Sequence, residues 1–181
     1  MAKTAPEHVH EDEHGHEHAH EHAAPASMPG AAAPGARAPA PMDGALPPGG
    51  LSWSVPSGWQ SRPSGGMRFA TFAVPGEAEL SVVALEGQAG GELANVNRWR
   101  GQLGLAPLSE DEFRKQSSRV TSKAGALRVV EIISQDGKSG MIGAILAQDA
   151  KTWFFKLTGG AGPVKAARPS LERFLSSLRA S

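Results

Sequence analysis

The chain has 181 residues with 18 basic and 18 acidic side chains, so its formal net charge is zero. This neutrality is a cancellation, because residues 1–50 contain two basic and seven acidic residues and the remainder carries the compensating positive charge. All seven His lie in the acidic part, whereas all four Trp and all six Phe follow it. The absence of Cys excludes disulfides, thiolate nucleophiles and Cys-ligated zinc. We therefore expect a solvated N-terminal tail joined to one folded domain.

Residues 1–22 are predicted to form a disordered tail rich in His and Glu, since such low-complexity sequence cannot build a core. Imidazole and carboxylate groups are donors that zinc, nickel and copper accept. The tail is thus predicted to bind divalent metal ions, either for buffering or delivery or only adventitiously; a pH-responsive role is the third interpretation. The candidate ligands are His8, His10, His14, His16, His18, His20 and His22.

Residues 23–50 are rich in Ala, Pro and Gly and are predicted to be a linker. No apolar run of the chain approaches the ~20 residues that a membrane span needs, so no transmembrane segment is expected. The first ten residues lack the apolar core of a secretory signal. As written, the chain is expected to be cytoplasmic; if a natural signal peptide was trimmed, it would be periplasmic or belong to the cell envelope.

Residues 51–181 are predicted to form a single α+β domain. Alternating apolar and polar residues, bounded by Gly, Pro and Asp, indicate strands joined by short turns, which implies antiparallel pairing. The predicted strands cover residues 51–55, 67–74, 79–85, 127–134, 140–147 and 152–158. The pattern predicts an antiparallel sheet of about six strands flanked by helices.

Three helices are predicted. Residues 91–104 carry an apolar stripe, and residues 109–121 begin with a capping-box pattern formed by Ser109 and Glu112. The last helix places Pro169 in its first turn and carries an apolar stripe at the i, i+3, i+4, i+7 spacing. That stripe is formed by Leu171, Phe174, Leu175 and Leu178.

Several stretches between about residues 51 and 179 resemble a group of uncharacterised bacterial proteins. They are SWSVPSGW, MRFATFAV, ELSVVAL, GGELANVNRWRGQLGL, TWFFKLTG and FLSSL, with NVNRWRGQLGL the most specific. The opening strand-Pro-x-x-Trp and the closing FLSSL helix resemble the Mog1/PsbP-like superfamily of α/β/α sandwiches. Members of that superfamily include photosystem accessory proteins and small-GTPase-binding proteins. The resemblance implies a non-catalytic binding scaffold, although fold alone does not transfer function.

Enzyme chemistry is strongly constrained after residue 50, where the sequence has no His, Cys or Tyr. Ser-His-Asp and Cys-His catalysis are excluded there, and no phosphate-binding loop, HExxH or calcium-loop motif is present. The chain is therefore not expected to be an enzyme. The remaining alternative is a carboxylate-based hydrolase, for which no spacing selects a pair among Glu77, Glu79, Glu86, Glu92, Glu131 and Asp149.

The helix over residues 91–104 offers a candidate ligand or partner face formed by Asn95, Arg98 and Gln102, which share one side of it. An amide and a guanidinium can hold a carboxylate or a phosphate. The alternative is a structural role in which these groups satisfy loop carbonyls or neighbouring acids. Among the tryptophans, Trp53 and Trp153 are predicted to lie in the core, and Trp59 is the plausible exposed one.

The leading hypothesis is a non-enzymatic binding domain with a metal-binding tail and no tightly bound cofactor. The alternative is a protein-interaction or cell-envelope accessory module in which the tail is only a solubilising spacer. Because the basic residues of the domain are dispersed along the sequence, nucleic-acid binding is not predicted. An acidic protein partner fits this charge better.

Overall fold

The computed structural model describes residues 50–148 and 150–180. Residues 1–49, which contain the tail and most of the linker, lie outside this range, and the predicted boundaries at residues 22 and 50 stay predictions. The strands are β1 (Leu51–Ser52), β2 (Gln60–Arg62), β3 (Arg68–Val74), β4 (Ala78–Glu86), β5 (Ser117–Ser122), β6 (Gly125–Ile133), β7 (Ser139–Ala147), β8 (Lys151–Gly160) and β9 (Arg179–Ala180). The helices are α1 (Glu92–Gln102), α2 (Glu110–Gln116) and α3 (Ala161–Ser176).

Seven strands form one antiparallel sheet in the order β2-β3-β4-β8-β7-β6-β5. Two hairpin series, β2 to β4 and β5 to β8, are joined edge to edge where β4 pairs with β8. Helices α1 and α2 lie between the two series in the chain, and α3 follows β8. The α+β class with an antiparallel sheet flanked by helices is confirmed, and the described part of the sheet has seven strands where about six were expected.

Two strands of this sheet, β2 and β5, were not predicted, and β5 corrects the predicted helix over residues 109–121. The capping box is present: the Ser109 amide donates to Glu112 Oε2 at 2.8 Å, and the Glu112 amide donates to Ser109 Oγ. The helix nevertheless ends at Gln116, and the chain continues as the strand Ser117–Ser122. Its sequence, SSRVTS, contains the β-branched Val120 and Thr121, which favour strands, and serines, which disfavour helix interiors; pairing with β6 satisfies its backbone groups.

The predicted strand over residues 51–55 is also shorter than expected. Within these residues, the strand covers only Leu51–Ser52, which pairs with Arg179–Ala180 in a separate two-stranded sheet. Trp59, predicted to be exposed, is buried, and its ring stacks on that of Phe174 at a centroid distance of 5.6 Å. The turn that precedes Trp59 folds it back onto the C-terminal helix, a tertiary contact that its local sequence does not encode.

Helix α3 begins earlier than predicted. It starts at Ala161, so Pro163 lies in its first turn and Pro169 lies in its interior. Pro169 is exposed, and the helix continues past it to Ser176. A proline inside a helix removes one backbone hydrogen bond, a loss that the packing of the apolar stripe offsets here.

Apolar side chains form one cluster on each face of the sheet. The first lies under α3 and contains Trp153, as predicted, with Phe72, Phe155 and Phe174. The second lies under α1 and α2, which pack against β6 and β5 respectively. None of the described helices combines the length and the apolarity that crossing a membrane requires.

Candidate functional site

The seven predicted metal ligands, His8 to His22, lie outside the described residues, and metal binding by them stays a prediction. Within residues 50–148 and 150–180, no three His, Cys, Asp or Glu side chains are grouped so that they could hold a metal ion.

Of the predicted face on α1, Asn95 has a clear structural role. Its side chain is buried, and Nδ2 donates to Ala89 O at 2.8 Å and to Gly91 O at 2.7 Å. These carbonyls belong to the turn before α1, where Ala89 and Gly91 have positive φ angles of 46° and 86°. The Asn95 amide thus holds a turn whose backbone is otherwise unfavourable for Ala89.

Arg98 and Gln102 are both exposed and do not share one cavity. Arg98 Nη1 donates to Asn95 Oδ1 at 3.2 Å, which completes the hydrogen bonds of that amide. Gln102 lines an open pocket of ≈ 310 Å³ together with Leu103 and the turn at Asp136. In the described part of the chain, Asn95 and Arg98 do not line this pocket. The ligand face that these three residues were predicted to form stays a prediction.

Three of the carboxylates considered for a hydrolase are engaged in ion pairs. Glu92 Oε2 accepts from Arg128 at 3.2 Å, which ties α1 to β6. Glu131 Oε2 accepts from Arg168 of α3 at 2.7 Å on the opposite face of the sheet. Glu79 pairs with Arg68. Asp149 is outside the described residues. The three paired groups contribute to packing of helices or strands, and Glu92 and Glu131 lie on different faces.

A surface not anticipated from the sequence lies on the face of the sheet that carries α1. Helix α1 covers the part of this face near β6. Nearer to β2, the strand residues on the same face are polar. We call this surface the polar sheet face; it consists of Arg62, Arg68, Thr71, Glu79, Ser81 and Lys156. Its side chains point in one direction because directly paired residues of antiparallel strands share a face.

Four of these residues form a line across four strands. Arg62 of β2 pairs with Thr71 of β3, Thr71 pairs with Ser81 of β4, and Ser81 pairs with Lys156 of β8. The Thr71 hydroxyl also accepts a hydrogen bond from the Ser64 hydroxyl at 3.2 Å. The line therefore has a cation at each end, the partly exposed Ser81 hydroxyl beside Lys156, and the buried Thr71 beside Arg62.

The line continues into the apolar cluster through Gly143, the partner of Lys156 on β7. Because Gly143 has no side chain, the ring of Trp99 from α1 occupies the space above it. Lys156 Nζ lies 5.9 Å from the centroid of this ring. The ammonium group is therefore held at the border between the apolar cluster and the polar sheet face by a cation–π contact.

Lys156 is half-buried, and burial lowers the pKa of its ammonium group below the ordinary value, with the nearby Arg68 guanidinium as a second cause. Among the described residues, the ion pairs leave Lys156 without a carboxylate partner. Arg68 itself donates to Glu79 Oε1 at 2.8 Å. The polar sheet face thus carries three basic groups against one acidic group that is already paired.

Reasoning from the sequence missed this surface because the basic residues are dispersed along the chain. The available signal was a single polar residue inside each of three apolar strands: Thr71 in RFATFAV, Ser81 in ELSVVAL and Lys156 in TWFFKLT. Only the register between β3, β4 and β8 shows that these three positions are neighbours.

No protein-family model matches the chain, and no curated protein matches it in sequence. Similar solved structures include a Bacteroides thetaiotaomicron VPI-5482 protein, with a TM-score of 0.47 and 17% identity over 72% of this chain. The chain spans only 45% of the length of that protein.

Two further neighbours are more similar in length. The cyanobacterial PsbP protein (CyanoP) of Synechocystis sp. PCC 6803 has a TM-score of 0.46 and 13% identity, covering 76% of this chain and 96% of its own. LpqN of Mycobacterium tuberculosis, which is involved in cell envelope biogenesis, has a TM-score of 0.43 and 13% identity, covering 75% and 86%. The resemblance to the Mog1/PsbP-like superfamily and the NVNRWRGQLGL motif stay predictions.

Proposed function

We propose that the chain is a non-enzymatic binding protein, in which residues 51–181 form a binding module and the His-rich tail holds divalent metal ions. The observation that supports a binding module is the polar sheet face. There, the half-buried Lys156 has no carboxylate partner among the described residues and lies beside hydroxyl groups and arginines. Lys and Arg are charged at neutral pH, so they suit recognition of a negatively charged ligand. From Leu51 onward the sequence has no His, Cys or Tyr for proton transfer or nucleophilic attack.

The binding module is tested by capturing partners with the full chain and comparing wild type with Lys156→Gln. We expect a partner that remains bound in the presence of a chelator and is weakened by the substitution. If the wild-type chain captured only the proteins that an unrelated bait also captures, the result would contradict the proposal. The folded state of the variant is checked by circular dichroism, so that a loss of binding is not caused by unfolding.

Metal binding by the tail is supported by the segregation of all seven His into residues 8–22, interleaved with carboxylates. We propose that the tail binds zinc, nickel or copper ions, and that none of them is a tightly bound cofactor. Calorimetric titration of the full chain is compared with a variant in which all seven His are replaced by Asn. Binding should be lost in the variant, and equal stoichiometry in both proteins would exclude the tail as the site.

A second candidate is a protein-interaction or cell-envelope accessory module in which residues 1–50 act as a solubilising spacer. The Ala/Pro/Gly-rich composition of residues 23–50, typical of a tether, favours it. We also propose that the domain belongs to the Mog1/PsbP-like superfamily, on the strand-Pro-x-x-Trp opening and the FLSSL helix. Partners that survive both the chelator and the seven-His variant would favour the accessory role over metal delivery.

A further inference from the structure

The two cations at the ends of the line across the polar sheet face are widely spaced. Arg62 and Lys156 are separated by the strands that carry Thr71 and Ser81, which makes three strand spacings. With about 4.8 Å between neighbouring strands, their backbone positions are about 14 Å apart. Because Lys156 Nζ lies at the Trp99 ring over β7, on the side of β8 away from β2, an extended chain with two anionic groups suits this spacing better than one small anion does.

The charge of the polar sheet face is positive. Arg62, Arg68 and Lys156 stand against Glu79 alone, and Glu79 is paired with Arg68 at 2.8 Å. Arg62 is exposed on the short edge strand β2, and it makes no ion pair among the described residues. A ligand with at least two negative groups therefore complements this surface, one for each end of the line.

Lys156 gives the surface a partly desolvated contact point. Its ammonium group lies against the Trp99 ring and is half-buried, and an incompletely hydrated cation gains more from an anionic partner than an exposed one does. The Ser81 hydroxyl extends the surface as a hydrogen-bonding group between the two cations, whereas Thr71 is only 4% exposed and its hydroxyl is engaged by Ser64.

The surface offers little to a nucleic acid. Trp99, the aromatic residue at its border, is only 4% exposed because its ring packs over Gly143, so it presents no free face on which a base can stack. A peptide in extended conformation, by contrast, covers about 14 Å in about four residues. Carboxylates at that spacing match the positions of Arg62 and Lys156.

We infer that the polar sheet face binds an extended acidic peptide segment of a partner protein, with one carboxylate at Lys156 and a second at Arg62. This inference rests on the proposed binding module and names the chemistry of its partner. Glu79 and Arg68 lie beside the line, where their ion pair leaves the two terminal cations for the ligand.

The test measures binding of fluorescein-labelled octaglutamate to the full chain by fluorescence anisotropy at low salt, with octaglutamine as the neutral control peptide. We expect Lys156→Gln and Arg62→Gln each to weaken binding about 3- to 10-fold, the range of one charge-assisted contact at a partly exposed site. The matched controls are Lys151→Gln, on β8 but facing the other side of the sheet, and Arg119→Gln, on the edge strand β5. Both controls should bind octaglutamate like wild type.

Equal effects of the four substitutions, or no octaglutamate binding by wild type, would overturn the inference. The inference would also be overturned if inorganic phosphate, anionic vesicles or oligo-deoxythymidine bound more tightly than octaglutamate and displaced it. If Lys156→Gln perturbs the fold, the exposed Arg62→Gln still decides the outcome. A partner that binds wild type and Lys156→Gln equally would refute this peptide site while leaving a binding function of the domain intact, so the two proposals fail separately.

Discussion

Trp99 of α1 packs directly over Gly143 of β7, so closely that a Cβ atom at Gly143 would collide with the six-membered ring of the indole. Gly143 is also the register partner of Lys156, whose ammonium group lies over the same ring. One glycine therefore sets the distance of α1 from the sheet and places the aromatic ring beside the cation. The polar sheet face begins at this contact.

Substitution Gly143→Ala should destabilise the domain by about 1–3 kcal/mol, the usual cost of overpacking a filled interior. The added methyl group forces either the Trp99 ring or α1 away from the sheet, because the neighbouring atoms belong to a rigid ring. Urea denaturation followed by tryptophan fluorescence measures the change in the free energy of unfolding.

The matched control for this prediction is Gly65→Ala, since a Cβ atom at Gly65 meets no atom within 4 Å. It should leave the free energy of unfolding within about 0.5 kcal/mol of wild type. A Gly143→Ala protein as stable as the Gly65→Ala protein would contradict the close packing of Trp99 on β7.

Helix α1 illustrates what the sequence predicts well. Leu93, Val96, Trp99 and Leu103 recur at helical spacing, and in the structure Val96 and Trp99 are buried while Leu93 and Leu103 pack against the same cluster. This information is local, since the period of the apolar residues is a property of the segment itself. The strand series from β6 to β8 was predictable for the same reason, together with its short turns.

The candidate surface was not predictable in this way. Ser81 and Lys156 are direct neighbours although 75 positions separate them in the chain, and their pairing depends on β4 joining β8. The burial of Trp59 likewise depends on Phe174 of the distant helix α3. A single polar residue in an apolar strand has no assigned neighbours until the register of the whole sheet is known.

Asn95→Ala should cost about 1–3 kcal/mol, because the Ala89 carbonyl loses its side-chain donor and the Gly91 carbonyl keeps only the longer bond from the Asn95 backbone amide at 3.3 Å. Asn95→Asp should also destabilise at neutral pH, since a carboxylate accepts hydrogen bonds and would face two carbonyl oxygens. Thermal and urea unfolding measure both variants.

The control is Gln102→Ala on the exposed part of the same helix, which should change the free energy of unfolding by less than about 0.5 kcal/mol. Equal stability of the Asn95 and Gln102 variants would show that the turn before α1 does not depend on the buried amide, and would return Asn95 to the list of candidate ligand-binding residues.

The capping box of α2 predicts a dependence of stability on acid pH. The backbone hydrogen bond from Ser109, followed by its hydroxyl, lowers the pKa of Glu112 below the ordinary value. A carboxyl group with a lower pKa in the folded state stabilises above its unfolded pKa and loses that contribution as pH falls through the folded pKa. Glu112→Gln should therefore be less stable than wild type at pH 7, and the difference should shrink on acidification. Urea midpoints at several pH values measure this; a constant difference would contradict the capping contact.

Lys156 predicts a slope of the same sign at alkaline pH, where stability again rises with pH. Burial first, and the Arg68 guanidinium second, lower its pKa in the folded state. Between that pKa and the unfolded value near ~10.4, the unfolded chain binds more protons than the folded one, so stability rises with pH through this window.

Lys156→Met keeps an unbranched side chain against Trp99 and removes the titration. Its stability relative to wild type should fall from neutral pH towards pH ~10. A difference between wild type and Lys156→Met that stays flat over this range would mean that the ammonium group is fully hydrated, which would also remove the partly desolvated contact on which the acidic-peptide site depends.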